Sequence, residues 1–186
     1  MKTEWVVIAV LAVIAIYAIM VFNRMVRGRN LVREGWSGID VQLKRRSDLI
    51  PNLVDVVKGY AAHERDLFSE IAAKRTSAMS ADGIAQKAAA EQALQGSLGR
   101  LFAIAEAYPD LKANQNFLEL QKQMAELEDQ LQMARRYYNG TVRDFNISIQ
   151  SFPDIAIARM FGFREEHFFQ IDAASGANPV VSFSGA

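Results

Sequence analysis

The N-terminus of this chain carries an unbroken run of eighteen residues without a charge, Trp5 to Phe22. As an α-helix that rises about 1.5 Å per residue, the run extends about 27 Å, close to the thickness of the hydrocarbon core of a bilayer. The sequence therefore predicts a short tail over residues 1–4 and a transmembrane helix over residues 5–22. A chain with this segment is expected to be a single-pass membrane protein before it is anything else.

Two other interpretations of the run remain open. A cleavable signal peptide has a shorter apolar core followed by a site of small residues, whereas this run ends in bulky residues, Ile19 to Phe22. A helix buried in a protein core is the second alternative, although an uncharged stretch of this length at the extreme N-terminus favours the bilayer. A lipid anchor on cysteine is excluded, because the chain contains no cysteine.

Basic residues after the span predict its orientation. Only Lys2 precedes the span, partly offset by Glu4. An excess of arginine on one side marks the cytoplasmic side, so we expect the N-terminus outside and the C-terminal domain in the cytoplasm. The opposite orientation stays open, since long domains can cross regardless of charge. The predicted anchor flanks are Trp5, Arg24, Arg27, Arg29 and Arg33. The arginines among them also suit anionic lipid headgroups.

Composition removes several classes of function. The 21 basic residues balance 21 acidic ones, so no overall field points to nucleic acid. The absence of cysteine excludes disulfides, thiolate nucleophiles, zinc ribbons and iron–sulfur clusters. It fits a reducing cytoplasm and would suit a periplasmic domain equally well.

A seven-residue rhythm of apolar residues after a basic juxtamembrane segment, 23–31, predicts a long first helix of the coiled-coil type. Pro51 lies within the rhythm and predicts a kink, and Gly28 is the expected hinge near the membrane. Gly35, Gly38 and Gly59 are expected where another backbone approaches closely. One row of the pattern is Trp36, Leu43, Ile50, Val57 and Ile71; the other is Val32, Ile39, Leu53, Tyr60 and Leu67; the expected solvated face carries Lys44, Arg45, Arg46 and Asp48.

Two further amphipathic stretches complete the expected fold. The link 76–83 precedes an alanine-rich helix over about 82–108, which Pro109 ends. A third helix from about Asn114 has a seam of Phe117, Met124, Leu131, Tyr138 and Phe145. The prediction is an all-α protein: a transmembrane helix, then an antiparallel up-and-down bundle of three long helices and a short C-terminal helix after Pro153. The bundle domain is expected over 32–171, and a disordered tail over 172–186.

Several motifs resemble those of one known family. Residues 36–54, WSGIDVQLKRRSDLIPNLV, are followed by VKGY at 57–60 and HE at 63–64. The pairs YN at 138–139, FN at 145–146 and FP at 152–153 precede FGF at 161–163. Together they resemble the LemA family of bacterial membrane proteins over nearly the whole chain.

This resemblance implies a helical bundle on a single span in the bacterial inner membrane. It also implies no established enzymatic activity. Family members are often encoded near membrane proteases or envelope-stress genes, which suggests the kind of partner to look for.

The sequence contains few candidate catalytic residues. His63-Glu64 begins like a metalloprotease helix, but the position of the second histidine is Leu67. A weak metal site of His63 with Asp66 and Glu70 is geometrically conceivable. No nucleophile elbow and no phosphate-binding glycine loop is present. We therefore expect no catalytic residue, no metal, no cofactor and no small-molecule substrate.

The most unusual segment outside the span is rich in phenylalanine, from Phe145 to Phe169. One interpretation is that these rings close the end of the bundle. The other is a surface for a second copy or for the membrane interface. The candidate interface residues are Phe152, Phe161, Phe163, Phe168 and Phe169.

The first hypothesis for function is a non-enzymatic membrane scaffold that self-associates and organises envelope proteins or lipids. The alternative is an accessory or adaptor subunit of a membrane protease or signalling complex. A metal-dependent hydrolase ranks last. The expected partners are membrane lipids, further copies of the chain and a membrane protein.

Overall fold

The computed structural model describes residues 2–170, and regular structure in this range is entirely α-helical. The helices are α1 (Lys2–Lys58), α2 (Arg65–Ser80), α3 (Ile84–Glu106), α4 (Pro109–Lys112), α5 (Gln115–Gln150) and α6 (Asp154–Met160). The predicted all-α class is confirmed. The predicted tail over 172–186 lies outside the described residues.

Helix α1 is a single helix of 57 residues that joins the apolar N-terminal run to the folded part of the chain. It contains a stretch long and apolar enough to cross a bilayer, and only 6% of that stretch is buried. A core helix would be mostly buried, so this exposure argues against a core role. Further along the same helix, Val21 and Met25 are already buried. Gly28 lies inside this helix, and the hinge expected there stays a prediction.

The first bundle helix ends earlier than the sequence pattern predicts. Helix α1 ends at Lys58 and α2 begins at Arg65, so the prediction of one helix through Ile71 is wrong. The carbonyl of Val57 accepts bonds from the amides of Tyr60 (3.0 Å) and Ala61 (2.9 Å), which closes a turn after the helix. Gly59, a poor helix former, lies in this turn. The bundle therefore has more helices than the three long ones predicted.

Pro51 lies within α1, and the helix continues on both sides of it. The kink expected there stays a prediction.

The chain divides into two compact units. The first contains residues up to 46 together with 123–168. In it α1 and α5 run antiparallel: Arg46 pairs with Glu128, and a Cβ on Gly28 would lie 3.1 Å from the ring of Phe145. All five residues of the predicted α5 seam are buried, which confirms that pattern: Phe117, Met124, Leu131, Tyr138 and Phe145.

Arg46 corrects the predicted solvated face of α1. Its residue is 2% exposed, and its guanidinium lies 3.1 Å from the carboxylate of Glu128. Glu128 also pairs with Arg135 at 3.3 Å. Arg46 interrupts an apolar row because it carries a buried ion pair to α5. Its neighbours Lys44, Arg45 and Asp48 are exposed, as predicted.

The second unit contains residues 47–122, that is, the end of α1, helices α2 to α4 and the start of α5. Helix α3 matches the predicted second helix, and Leu94, Leu98, Leu101 and Ala105 are buried as expected, whereas Tyr108 is half-buried. The predicted link 76–83 is shorter, because α2 continues to Ser80. The side chain of Asn114 caps α5 by accepting a bond from the Phe117 amide at 3.1 Å.

Candidate membrane-facing site

The start of α6 is tied to the apolar half of α1 by a buried carboxylate. Pro153 occupies the N-cap position, and Asp154 lies in the first turn, where the helix dipole favours a negative charge. Asp154 is 5% exposed. The Tyr17 hydroxyl donates a hydrogen bond to one of its oxygens at 2.7 Å, and the Arg24 guanidinium forms an ion pair with the other. The cation and the hydroxyl donor satisfy both oxygens of this buried carboxylate.

An aromatic cluster lies beside this carboxylate. The ring of Phe22 is 4.8 Å from that of Phe161 and 5.8 Å from that of Phe163, between centroids. Phe145 of α5 approaches Phe163 at 6.3 Å. The Arg29 guanidinium lies 5.1 Å from the Phe163 centroid, within the range of a cation–π contact. Phe163 thus joins α1 to the end of α5.

The segment after α6 runs back along α5 and is held by side chains of that helix. Asn146 donates to the Glu166 carbonyl and accepts from the Glu166 amide, both at 2.9 Å. The Tyr138 hydroxyl donates to the His167 carbonyl at 2.7 Å. Burial of this phenol, followed by the nearby Glu166 charge, raises the pKa of Tyr138 to about 12. The tyrosine therefore remains a neutral hydrogen-bond donor throughout the neutral range.

The structure divides the five candidate interface residues. Phe152 is 90% exposed, Phe161 54% and Phe168 43%. Phe163 is half-buried in the aromatic cluster, and Phe169 is 1% exposed. Phe163 and Phe169 are therefore packed, as expected if the rings close the end of the bundle. The other three are exposed, and their role as an interface stays a prediction.

The predicted anchor flanks differ in their surroundings. Trp5 is exposed at the start of the apolar run. Arg24 pairs with Asp154 while its side chain remains 60% exposed, and Arg29 lies against Phe163. Arg27 and Arg33 are exposed. Two of the four arginines therefore have structural contacts in addition to any role in setting topology.

The polar residues considered for catalysis are either exposed or held in ion pairs. His63 is exposed in the turn between α1 and α2. Both oxygens of Glu70 are engaged, one by Lys74 at 2.6 Å and the other by Arg100 at 2.8 Å. Within residues 2–170 no group of three or more histidine, aspartate or glutamate side chains is placed to hold a metal ion.

Sequence reasoning missed Tyr17 and Asp154 as a pair. The available signal was the isolation of Asp154, since Arg159 is the only other charged residue between 147 and 163. A lone acid in an apolar stretch needs a partner if it is buried. Which partner it has depends on the antiparallel register of α1 and α5, which the spacing alone does not give.

Comparison with known proteins places these features in a family. The model of the LemA family matches residues 35–183. The magnetosome protein MamQ 2 of Paramagnetospirillum magneticum is 28% identical, over 95% of this chain and 75% of its own length. MamQ of Magnetospirillum gryphiswaldense is 25% identical, over 94% of this chain and 74% of its own length.

A relative named protein LemA, from Metamycoplasma hominis, is 26% identical over 80% of this chain and 68% of its own length. Neither the family description nor the names of these relatives states an enzymatic activity. The relatives and the exposed apolar half of α1 fit a membrane protein. Since the family match covers most of the sequence, from the α1 residues that face α5 to beyond α6, the chain belongs to the LemA family.

Proposed function

We propose that this protein is a non-enzymatic, single-pass membrane scaffold that self-associates and organises envelope proteins or lipids. The observation that carries the proposal is the continuity of α1. One helix begins with an exposed apolar stretch of membrane-spanning length and continues as a packed element of the bundle. The proposed anchor and the first helix of the folded domain are therefore one continuous helix through residues 2–46.

The relatives support this arrangement of anchor and bundle. The match between this chain and the magnetosome protein MamQ 2 covers 95% of this chain, so it includes part of the apolar run as well as the helical domain. The proposed location is the bacterial inner membrane, with the arginine-rich side of the span in the cytoplasm.

A self-association surface is supported by exposed apolar side chains on α5. Met133 is 61% exposed and Tyr137 is 48% exposed. Their spacing of four places them on the same face of the helix. Exposed Met and Tyr are enriched where proteins meet one another.

The test is native mass spectrometry of the full chain in mild detergent and in lipid nanodiscs. We expect the wild type to form a defined oligomer, and Met133→Lys to shift it towards the monomer, because a buried lysine without a partner opposes association. Gln132→Lys is the matched control, since Gln132 is exposed on the neighbouring position. A wild type that is strictly monomeric in both media would contradict self-association. Equal effects of Met133→Lys and Gln132→Lys on the oligomer would also contradict self-association.

Affinity capture from bacterial membranes separates the scaffold from the accessory-subunit alternative. A scaffold is expected to recover its own second, differently tagged copy as the main product. One dominant heterologous membrane protein, recovered in fixed ratio without a second copy, would favour the adaptor function instead.

A further inference from the structure

We propose that residues 147–161, the turn segment, enter the same bilayer leaflet as the C-terminal end of the span and form a second lipid-contacting element. The turn segment contains the end of α5, the connection to α6 and the whole of α6. The inference rests on the proposed function in one respect: it takes residues 5–22 to cross the bilayer. It goes further because it assigns a lipid ligand to a separate part of the fold.

The register of α5 on α1 sets the level of the turn segment. As the residue number decreases along α1, the number of the contacting residue on α5 increases. Arg46 pairs with Glu128, Gly35 lies against Tyr138, and Gly28 faces Phe145. Helix α5 therefore runs towards the span, and the turn segment lies beyond the last of these contacts.

The contacts of Asp154 fix this level more closely. Asp154 accepts a hydrogen bond from Tyr17 and pairs with Arg24. Tyr17 lies five residues before the end of the uncharged run at Phe22. At 1.5 Å per residue, this is about 7 Å inside the run. The first turn of α6 is thus held between the depth of Tyr17 and that of the first arginine after the span.

The surface of the turn segment has the composition of a membrane interface. Four of its large apolar residues are more than half exposed: Ile147 at 56%, Phe152 at 90%, Met160 at 70% and Phe161 at 54%. Clustered exposed apolar residues on a soluble surface mark a site that something covers. Phe161 also contacts Phe22 at the end of the span, so the apolar surface is continuous from one element to the other.

The charges of the turn segment fit lipid as the ligand. Asp154, its only acid, is buried against Tyr17 and Arg24, so it does not oppose anionic headgroups. Arg159 is exposed and is its only base. A long basic side chain can remain at the headgroup level while the apolar residues around it enter the acyl region. A polar protein partner would find few hydrogen-bonding groups here.

The test uses the full chain in vesicles of phosphatidylcholine and phosphatidylglycerol. Since the protein has no cysteine, single cysteines can carry a fluorescent label at Phe152→Cys and Met160→Cys. Met20→Cys, within the span, is the lipid reference. Gln132→Cys is the aqueous reference, because Gln132 is exposed and its level on α5 falls between Tyr138 and Glu128, the partners of Gly35 and Arg46. Met20, at 58%, is about as exposed as Met160, at 70%.

Two quenchers decide the outcome. We expect a lipid-borne nitroxide to quench the labels at 152 and 160 as it quenches the label at 20, and aqueous iodide to quench only the label at 132. Quenching at 152 and 160 by iodide and not by nitroxide, with position 20 still in lipid, would overturn this inference and leave the span intact. Loss of lipid quenching at position 20 itself would overturn the proposed anchor instead. Protection of 152 and 160 from both quenchers would show that protein covers the surface, and would also contradict the inference.

A charge variant gives a second measurement. Phe152→Asp places an acid at a 90% exposed position, so it should preserve the fold, which circular dichroism checks. It should reduce lipid quenching of the label at 160, whereas Gln132→Asp should leave that quenching unchanged. Equal quenching in the two variants would count against insertion.

Discussion

At the scale of single residues, Arg46 shows how a charge is accommodated in an apolar seam. Its side chain is 3% exposed, and its partner Glu128 is 28% exposed. Glu128 is shared with Arg135, so two cations face one carboxylate. Removing one member of a buried pair is costly because the other charge loses that compensation while it stays buried. The buried member here is the arginine, so loss of the glutamate should be the more harmful change.

We therefore expect Glu128→Gln to lower the free energy of unfolding by about 3 kcal/mol, at the lower end for broken buried pairs. The double variant Arg46→Met/Glu128→Gln should be more stable than Glu128→Gln alone, because it leaves no buried cation. Denaturant titration in detergent, followed by circular dichroism, measures both. Asp129→Asn, at an exposed position of the same helix, should change stability by less than about 0.5 kcal/mol. A double variant that is less stable than the single one would contradict this account.

Glu70 predicts a pH dependence of stability. Hydrogen bonds from Lys74 and then Ser97, with the charge of Arg100, lower the pKa of Glu70 from 4.5 to about 2. The folded protein therefore binds fewer protons at this site than the unfolded chain between these two values. The stabilisation is fully present above pH 4.5 and is lost as the pH falls towards 2.

The measurement compares wild type with Glu70→Gln by urea unfolding at pH 7 and pH 3. Wild type should be more stable than the variant at pH 7, and the difference should be smaller at pH 3. Glu106→Gln is the matched control, an exposed carboxyl at the end of α3. A difference for Glu70→Gln that is the same at both pH values would show that the carboxylate charge is not what stabilises α2 against α3.

At the scale of helices, α5 was predictable and the end of α1 was not. The α5 seam repeats every seven residues from Phe117 to Phe145 without a polar interruption, and all of it is buried. The α1 rows contain Glu64, which lies in the turn between α1 and α2. Leu67 and Ile71 keep the same phase beyond the turn, so periodicity alone cannot reveal the break. The break is set by the backbone hydrogen bonds of Gly59 and Tyr60, which form a turn at the end of α1.

Two glycines of α1 predict opposite effects of the same substitution. A Cβ on Gly35 would lie 3.1 Å from the Cα of Tyr138, and the helical backbone of α5 cannot easily move away. A Cβ on Gly38 would meet nothing within 4 Å. Gly38→Ala should raise the free energy of unfolding by up to about 1 kcal/mol through helix propensity, and Gly35→Ala should lower it. Thermal unfolding of the two variants tests this, and stabilisation by both would show that α1 and α5 can separate at no cost.

At the scale of the whole molecule, the sequence was enough to predict the class of fold and an N-terminal helix long and apolar enough to cross a bilayer. An uncharged run of membrane-spanning length and three amphipathic stretches predict an all-α protein, and the family match agrees. The candidate site was harder to predict from the sequence. Whether Phe161 faces outward and Phe169 inward depends on contacts between segments far apart in the chain, such as Tyr138 with His167.

The unbroken course of α1 from Lys2 through residue 46 has a mechanical consequence. A helix responds to a thinner or thicker bilayer by tilting. Because Gly28 is held inside the helix against Phe145, residues 23–46 share any tilt of the span. The ion pair of Arg24 with Asp154 makes α6 follow as well. For the proposed span, lipid thickness would thereby set the angle at which α5 meets the membrane surface.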